Sequence, residues 1–104
     1  MSYAVLKSVQ AVRDIEEAFV YIAENDLDKA VYFLVAIEET IETIAQNPLI
    51  GSVRQFQNTK LKNLRMWRVK KYENYLIFYT VEEETIKIIR FLSAKRDFNL
   101  VLDM

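Results

Sequence analysis

The chain has 104 residues, 14 lysines and arginines against 15 aspartates and glutamates, a net charge of −1, and neither cysteine nor histidine. That length builds one domain over residues 1–104 and buries roughly 65% of the unfolded surface, enough to fold without a disulfide or a metal. The two missing residue types exclude disulfide frameworks, thiolate nucleophiles, Cys/His metal centres and histidine-based proton transfer.

The N-terminus "MSYAVLKSVQ" has no basic region followed by a long apolar core, and no run approaches the roughly 18 apolar residues of a membrane span. The expectation is a cytoplasmic protein that makes no membrane contact. The near-neutral total hides a division. Residues 1–46 carry three basic residues (Lys7, Arg13, Lys29) against nine acids, and residues 47–104 carry eleven against six. An asymmetry of sign between halves bears on partners rather than on fold.

In chain order, "SYAVLKSV" reads as a short strand. From Val9 to Glu24, Val12, Ile15, Phe19 and Ile22 recur at helical spacing, leaving Asp14, Glu16, Glu17 and Glu24 mostly on the other side. "ENDLD" breaks that helix and offers Asp26 as the cap of a second one. There Leu27, Ala30, Leu34, Ile37, Ile41 and Ile44 mark one face over about 30 Å, and the helix stops ahead of "NP". So short a connection predicts an antiparallel helical hairpin.

Pro48 and the single glycine, Gly51, punctuate the change from helix to sheet in "NPLIGS". "RQFQNTKLKN" reads as irregular. Three strands are expected to follow, at about 64–71, 74–81 and 85–92, with "KYEN" and "EEE" as tight antiparallel turns. The middle run is apolar at nearly every position, as expected of a strand covered on both faces or central in a small sheet. Alternation in the last run puts Ile86, Ile88, Arg90 and Leu92 on one face, and Lys87, Ile89 and Phe91 on the other.

"KLKNLRMWRVKKY", residues 60–72, carries six of the fourteen basic residues and no acid. Alternation places Arg65, Trp67 and Val69 on one face and Met66, Arg68 and Lys70 on the other. The stretch is either a cationic platform for phosphates or carboxylates, which arginine suits through its planar fork, or a solvated face with basic stems over apolar surface. Lys95 and Arg96 form a second small basic group after the last strand, where Arg96 and Asp97 have the alternative of pairing or capping a turn. Tyr72, Tyr75 and Tyr79 are expected in the core with their hydroxyls reaching the rim. No serine has a partner base and no glycine-rich phosphate loop exists. Any chemistry would rest on lysine, arginine, tyrosine or a carboxylate, and no cofactor or metal is expected.

The order of a short strand, a helical hairpin ending in "IETIAQNPLIGSVR", and then "NYLIFYTVEEETIKIIRFLSAKRD" resembles the ParE/RelE toxin superfamily of type II toxin–antitoxin systems, its ParE-like branch most closely. The carrying residues are Tyr21 and Ile22, the "P.IG..R" of Pro48, Ile50, Gly51 and Arg54, "YLIFY" from Tyr75 to Tyr79, and the closing Arg96 and Asp97, over roughly residues 3–102. The resemblance implies an α+β fold, a helical hairpin packed on a small twisted antiparallel sheet after a short N-terminal strand. It implies a cognate antitoxin that folds over the toxin by helix-in-groove or strand addition, and contact with operator DNA only through that antitoxin.

Two activities occur in such a superfamily: ParE-like members poison DNA gyrase, and RelE-like members cut messenger RNA on the ribosome with lysines, arginines and a tyrosine or histidine. This chain has Ser93 where many ParE-like members have histidine and Phe98 where RelE-like members have a tail tyrosine. A phenylalanine moves no proton, which favours binding over cleavage, although Arg65, Arg68, Arg90 and Arg96 could still hold RNA. The leading expectation is a ParE-like gyrase inhibitor whose partner-binding surface is Lys60, Lys62, Arg65, Arg68, Lys70, Lys95 and Arg96, with Trp67 as anchor. The alternatives are a ribosome-dependent endoribonuclease and a toxin-like fold that survives as an interaction module. Homodimer formation stays open.

Overall fold

The computed structural model describes residues 3–54 and 63–95. Strand β1, Ala4–Lys7, leads directly into helix α1, Val9–Ala23. Ser8 makes that junction: its backbone is extended, and its hydroxyl accepts from the Ala11 N–H and donates to the Ile89 carbonyl. Asp26 then caps α2, Leu27–Gln46, by accepting from the Lys29 N–H at 3.1 Å, as expected. The helix ends at Asn47, immediately before Pro48.

After the α2 turn come β2 (Ser52–Arg54), β3 (Leu64–Val69), β4 (Tyr72–Glu82) and β5 (Thr85–Ser93). They form one five-stranded sheet in the order β1-β5-β4-β3-β2. The sheet is mixed, whereas the sequence predicts an antiparallel one. Strands β2 to β5 are antiparallel neighbours, but β1 runs parallel to β5 with Ala4 opposite Thr85 and Lys7 opposite Ile88. Parallel partners need a long crossover, and the helical hairpin supplies it. Strand β2 is a further departure: its three residues lie where the sequence shows no alternation, and pairing with β3 alone makes them a strand.

The helices cover one sheet face. Phe33, Ile37 and Ile44 of α2 meet Val69, Ile77, Tyr79, Ile86, Ile88 and Phe91, all essentially buried. Phe33 lies edge-on to Tyr72, Tyr75 and Phe91, with ring centroids 4.9–5.9 Å apart. The opposite face carries a second buried cluster of Leu64, Leu76, Phe78 and Leu92, with Met66 and Ile89 packed against it. Strand β4 therefore contributes to both clusters, as its continuous apolar run predicts.

Two facial assignments are overturned. Between Phe78 and Tyr79 the β4–β5 register slips, because Phe78 pairs with Arg90 and Tyr79 with Ile88, leaving Ile89 as an extra residue. Beyond this bulge the faces exchange, so Phe91 joins the helix-side core and Leu92 the opposite cluster. In α1 Ile15 and Ile22 pack against the core as expected, but Val12 is 39% exposed and the buried positions are Ala11 and Asp14. The helix is turned so that a carboxylate, not a valine, meets the sheet.

Candidate partner-binding surface

Strand β3 places its residues as alternation predicts up to Val69. Val69 is fully buried and Trp67 half-buried against the helix-side core, and Arg68 is exposed. The Arg68 guanidinium lies 5.9 Å from the Trp67 ring centroid. Lys70 is not in the strand: Lys70 and Lys71 form the two-residue turn to β4, and the "KYEN" expected as the turn is mostly strand. Lys71 holds a left-handed backbone at φ 69°, strained for a side-chain-bearing residue. Buried Thr40 secures the turn, donating to the Ala36 carbonyl and accepting from the Lys70 N–H.

This arrangement opens a cleft of about 250 Å³ between α2 and β3, lined by Thr40, Thr43, Trp67, Arg68, Lys70 and Glu73. A neighbouring depression carries Tyr32, Val35, Glu39, Lys70, Lys71 and Tyr72. Lys70 approaches Glu39 only at 4.0 Å with both side chains exposed, a pairing worth little in water. Arg68, Lys70 and Lys71 thus present cations at one corner of the molecule beside an aromatic side chain.

The other expected site residues fare differently. Arg65 is engaged within the fold: its guanidinium donates to the carbonyls of Leu49 at 3.2 Å and Gly51 at 2.7 Å, clamping the "NPLIGS" loop. Lys95 is exposed after β5, its N–H donating to the Ser93 hydroxyl, and it does not line the β3 cleft. Lys60, Lys62 and Arg96, and with them Phe98, lie outside the described residues.

The same loop explains the solitary glycine. Tyr79 is fully buried, and its hydroxyl donates to the Pro48 carbonyl and accepts from the Gly51 N–H, each at 2.8 Å. A Cβ on Gly51 would stand 2.6 Å from that hydroxyl and 2.9 Å from the Met66 carbonyl. The expectation that this hydroxyl reaches the rim is therefore wrong. Burial raises the Tyr79 pKa above its usual 10, partly countered by the Gly51 N–H and the Arg65 charge.

Arg90, another candidate for holding RNA, is also engaged. It makes a two-pronged pair with Asp14, Nε to Oδ2 at 2.8 Å and Nη2 to Oδ1 at 3.1 Å, and the Phe91 N–H donates to Oδ2 at 3.0 Å. The carboxylate thereby satisfies a backbone donor on β5 beyond the point where β1 ends. Spacing could have revealed it: Ala11, Asp14, Ala18 and Ile22 recur at helical intervals and define the face that α1 buries.

Among the described residues no group of three or more carboxylates gathers as a metal site, and no helix is long and apolar enough to cross a membrane. No curated protein matches the chain. A solved structure titled as the chromosomal ParDE toxin–antitoxin system of P. aeruginosa superposes with a TM-score of 0.69 at 16% identity, covering 88% of this chain and 96% of the other, which shows a shared fold. The family model described as the ParE toxin of the type II toxin–antitoxin system parDE matches residues 5–98. The chain belongs to the ParE toxin family of type II toxin–antitoxin systems.

Proposed function

We propose that the chain acts in the cytoplasm as the toxin of such a pair, inhibits DNA gyrase by binding, and is neutralised by a cognate antitoxin whose acidic residues meet Arg68, Lys70 and Lys71. Lys60, Lys62, Lys95 and Arg96 are assigned the same partner-binding role from the sequence, and Arg65 supports the surface from within by holding the loop beside β2. Operator DNA is reached through the antitoxin alone.

One observation favours binding over cleavage. Of the arginines an RNA-cutting site would draw on, Arg90 is held by Asp14 and Arg65 by two loop carbonyls. The Tyr79 hydroxyl is likewise buried in two hydrogen bonds. A general acid or base must lie within reach of substrate and be free to exchange its proton, conditions these groups do not meet. With no histidine in the chain, proton transfer would fall to an exposed tyrosine or carboxylate.

Expression without a partner tests the reading. Gyrase-linked DNA breaks and induction of the DNA-damage response are the expected result. Rapid cleavage of translated messages with intact chromosomes would establish the ribonuclease alternative instead, and unimpaired growth would leave only the interaction-module reading.

A further inference from the structure

A second cleft lies on the opposite side of the hairpin from the basic turn, and it has the opposite character. It encloses about 190 Å³ between α1 and the adjoining ends of β4 and β5, lined by Asp14, Glu17, Ala18, Tyr21, Tyr75, Phe91, Leu92 and Ser93. Its floor is aromatic: Tyr75 and Phe91 stack with centroids 5.4 Å apart and planes 15° apart. Tyr75 is partly buried, and burial together with the nearby Tyr21 hydroxyl keeps its phenol protonated above the usual range.

The two carboxylates at this cleft are not equivalent. Asp14 already accepts from Arg90 and from the Phe91 N–H through both of its oxygens. Glu17 is exposed and forms no ion pair among the described residues, and it also lines the adjoining depression with Arg13, Glu16, Val20, Tyr21 and Glu24. Three acids against one arginine leave that rim negative. An aromatic floor, a tyrosine wall and an unpaired carboxylate at the mouth are the chemistry that holds an alkylated cation, through cation–π attraction and one charge-assisted hydrogen bond.

We propose that this cleft receives an arginine or lysine side chain from a partner polypeptide, with the cation between the Tyr21 and Tyr75 rings and its hydrogen bonds directed to Glu17. A partner that lies across the hairpin would then carry charges of both signs, acidic toward the β3 turn and basic toward α1. A second copy meeting this one hairpin to hairpin is a poor occupant, because acids would face acids. The inference does not depend on the identity of the toxin's target.

The probe is the peptide Ac-Leu-Ala-Arg-Ala-Leu-NH2, titrated into the isotope-labelled full chain beside versions with glutamine or glutamate replacing arginine. Backbone chemical shifts should move at Glu17, Ala18, Tyr21 and Ser93, and at low salt the arginine peptide should bind about fivefold or more tighter than the glutamine peptide. Glu17→Gln and Tyr21→Ala, both at exposed positions, should each shrink that difference without changing the circular dichroism spectrum. Equal binding of the glutamine or glutamate peptide, shifts confined to β3, or a difference that survives both substitutions would overturn the proposal. A protein that does not inhibit gyrase but still shows these shifts would refute the functional reading while sustaining this one.

Discussion

Replacing Asp14 by alanine removes the acceptor for two guanidinium hydrogen bonds and for the Phe91 N–H, and leaves the Arg90 charge without its partner. The side chains are only 5% and 16% exposed, so water cannot take over the lost bonds without reorganising the β5 bulge. Breaking such a pair from one side costs about 3–5 kcal/mol, most of it the stranded charge and donor. In a chain whose total stability should be about 5–15 kcal/mol, that is a large share. Each kcal/mol shifts the melting temperature of a domain near this size by roughly 4–8 °C.

Thermal unfolding of Asp14→Ala should therefore fall by at least about 12 °C. The double variant Asp14→Leu with Arg90→Met should recover much of that loss, because paired apolar replacements leave no buried charge. A loss below about 1 kcal/mol, as for an exposed ion pair, would refute the reading of Asp14 as the clamp of the bulge. So would additive losses in the double variant.

Gly51→Ala should destabilise by about 2 kcal/mol through its contacts with Tyr79 and the Met66 carbonyl, and Tyr79→Phe should relieve only part of this because the ring carbon and carbonyl contacts remain. Because the Tyr79 pKa is raised by burial, the unfolded chain ionises first on going alkaline; the stability held by the neutral phenol is complete below about pH 10 and lost as pH climbs through the folded value. Chemical denaturation across that range should show a smaller alkaline loss for Tyr79→Phe. Lys71→Gly should raise the unfolding midpoint by about 0.5–1 kcal/mol in free energy, since φ 69° suits glycine. Arg68→Glu combined with Lys70→Glu should weaken antitoxin binding about tenfold or more at low salt and leave the melting temperature within a few degrees, as expected of exposed charges; unchanged affinity would make the turn a solvated surface only.

The opening strand, the helical hairpin, the Asp26 cap and the three closing strands are readable from periodicity and turn residues, because those signals are local. The doubly covered β4 is readable too, since a strand with apolar residues at every position has no face to give to water. Arg68 at the surface and Val69 in the core follow from alternation alone, which the β3–β4 pairing respects from Arg65 to Arg68.

What alternation could not supply depends on residues far apart in the chain. Spacing can put Asp14 on the buried face of α1, but only Arg90, 76 positions away, gives it a partner. Arg65 looks like a binding residue until the loop carbonyls of Leu49 and Gly51 come within reach, 16 and 14 positions away. One extra residue at Ile89 reverses the two faces beyond it, because a period of two has no tolerance for an insertion. The sequence by itself determined the two helices, four of the five strands and where the charge lies. The tertiary structure decided which charges are engaged inside the fold and which are left for a partner, because engagement depends on pairing across the sheet and not on neighbours along the chain.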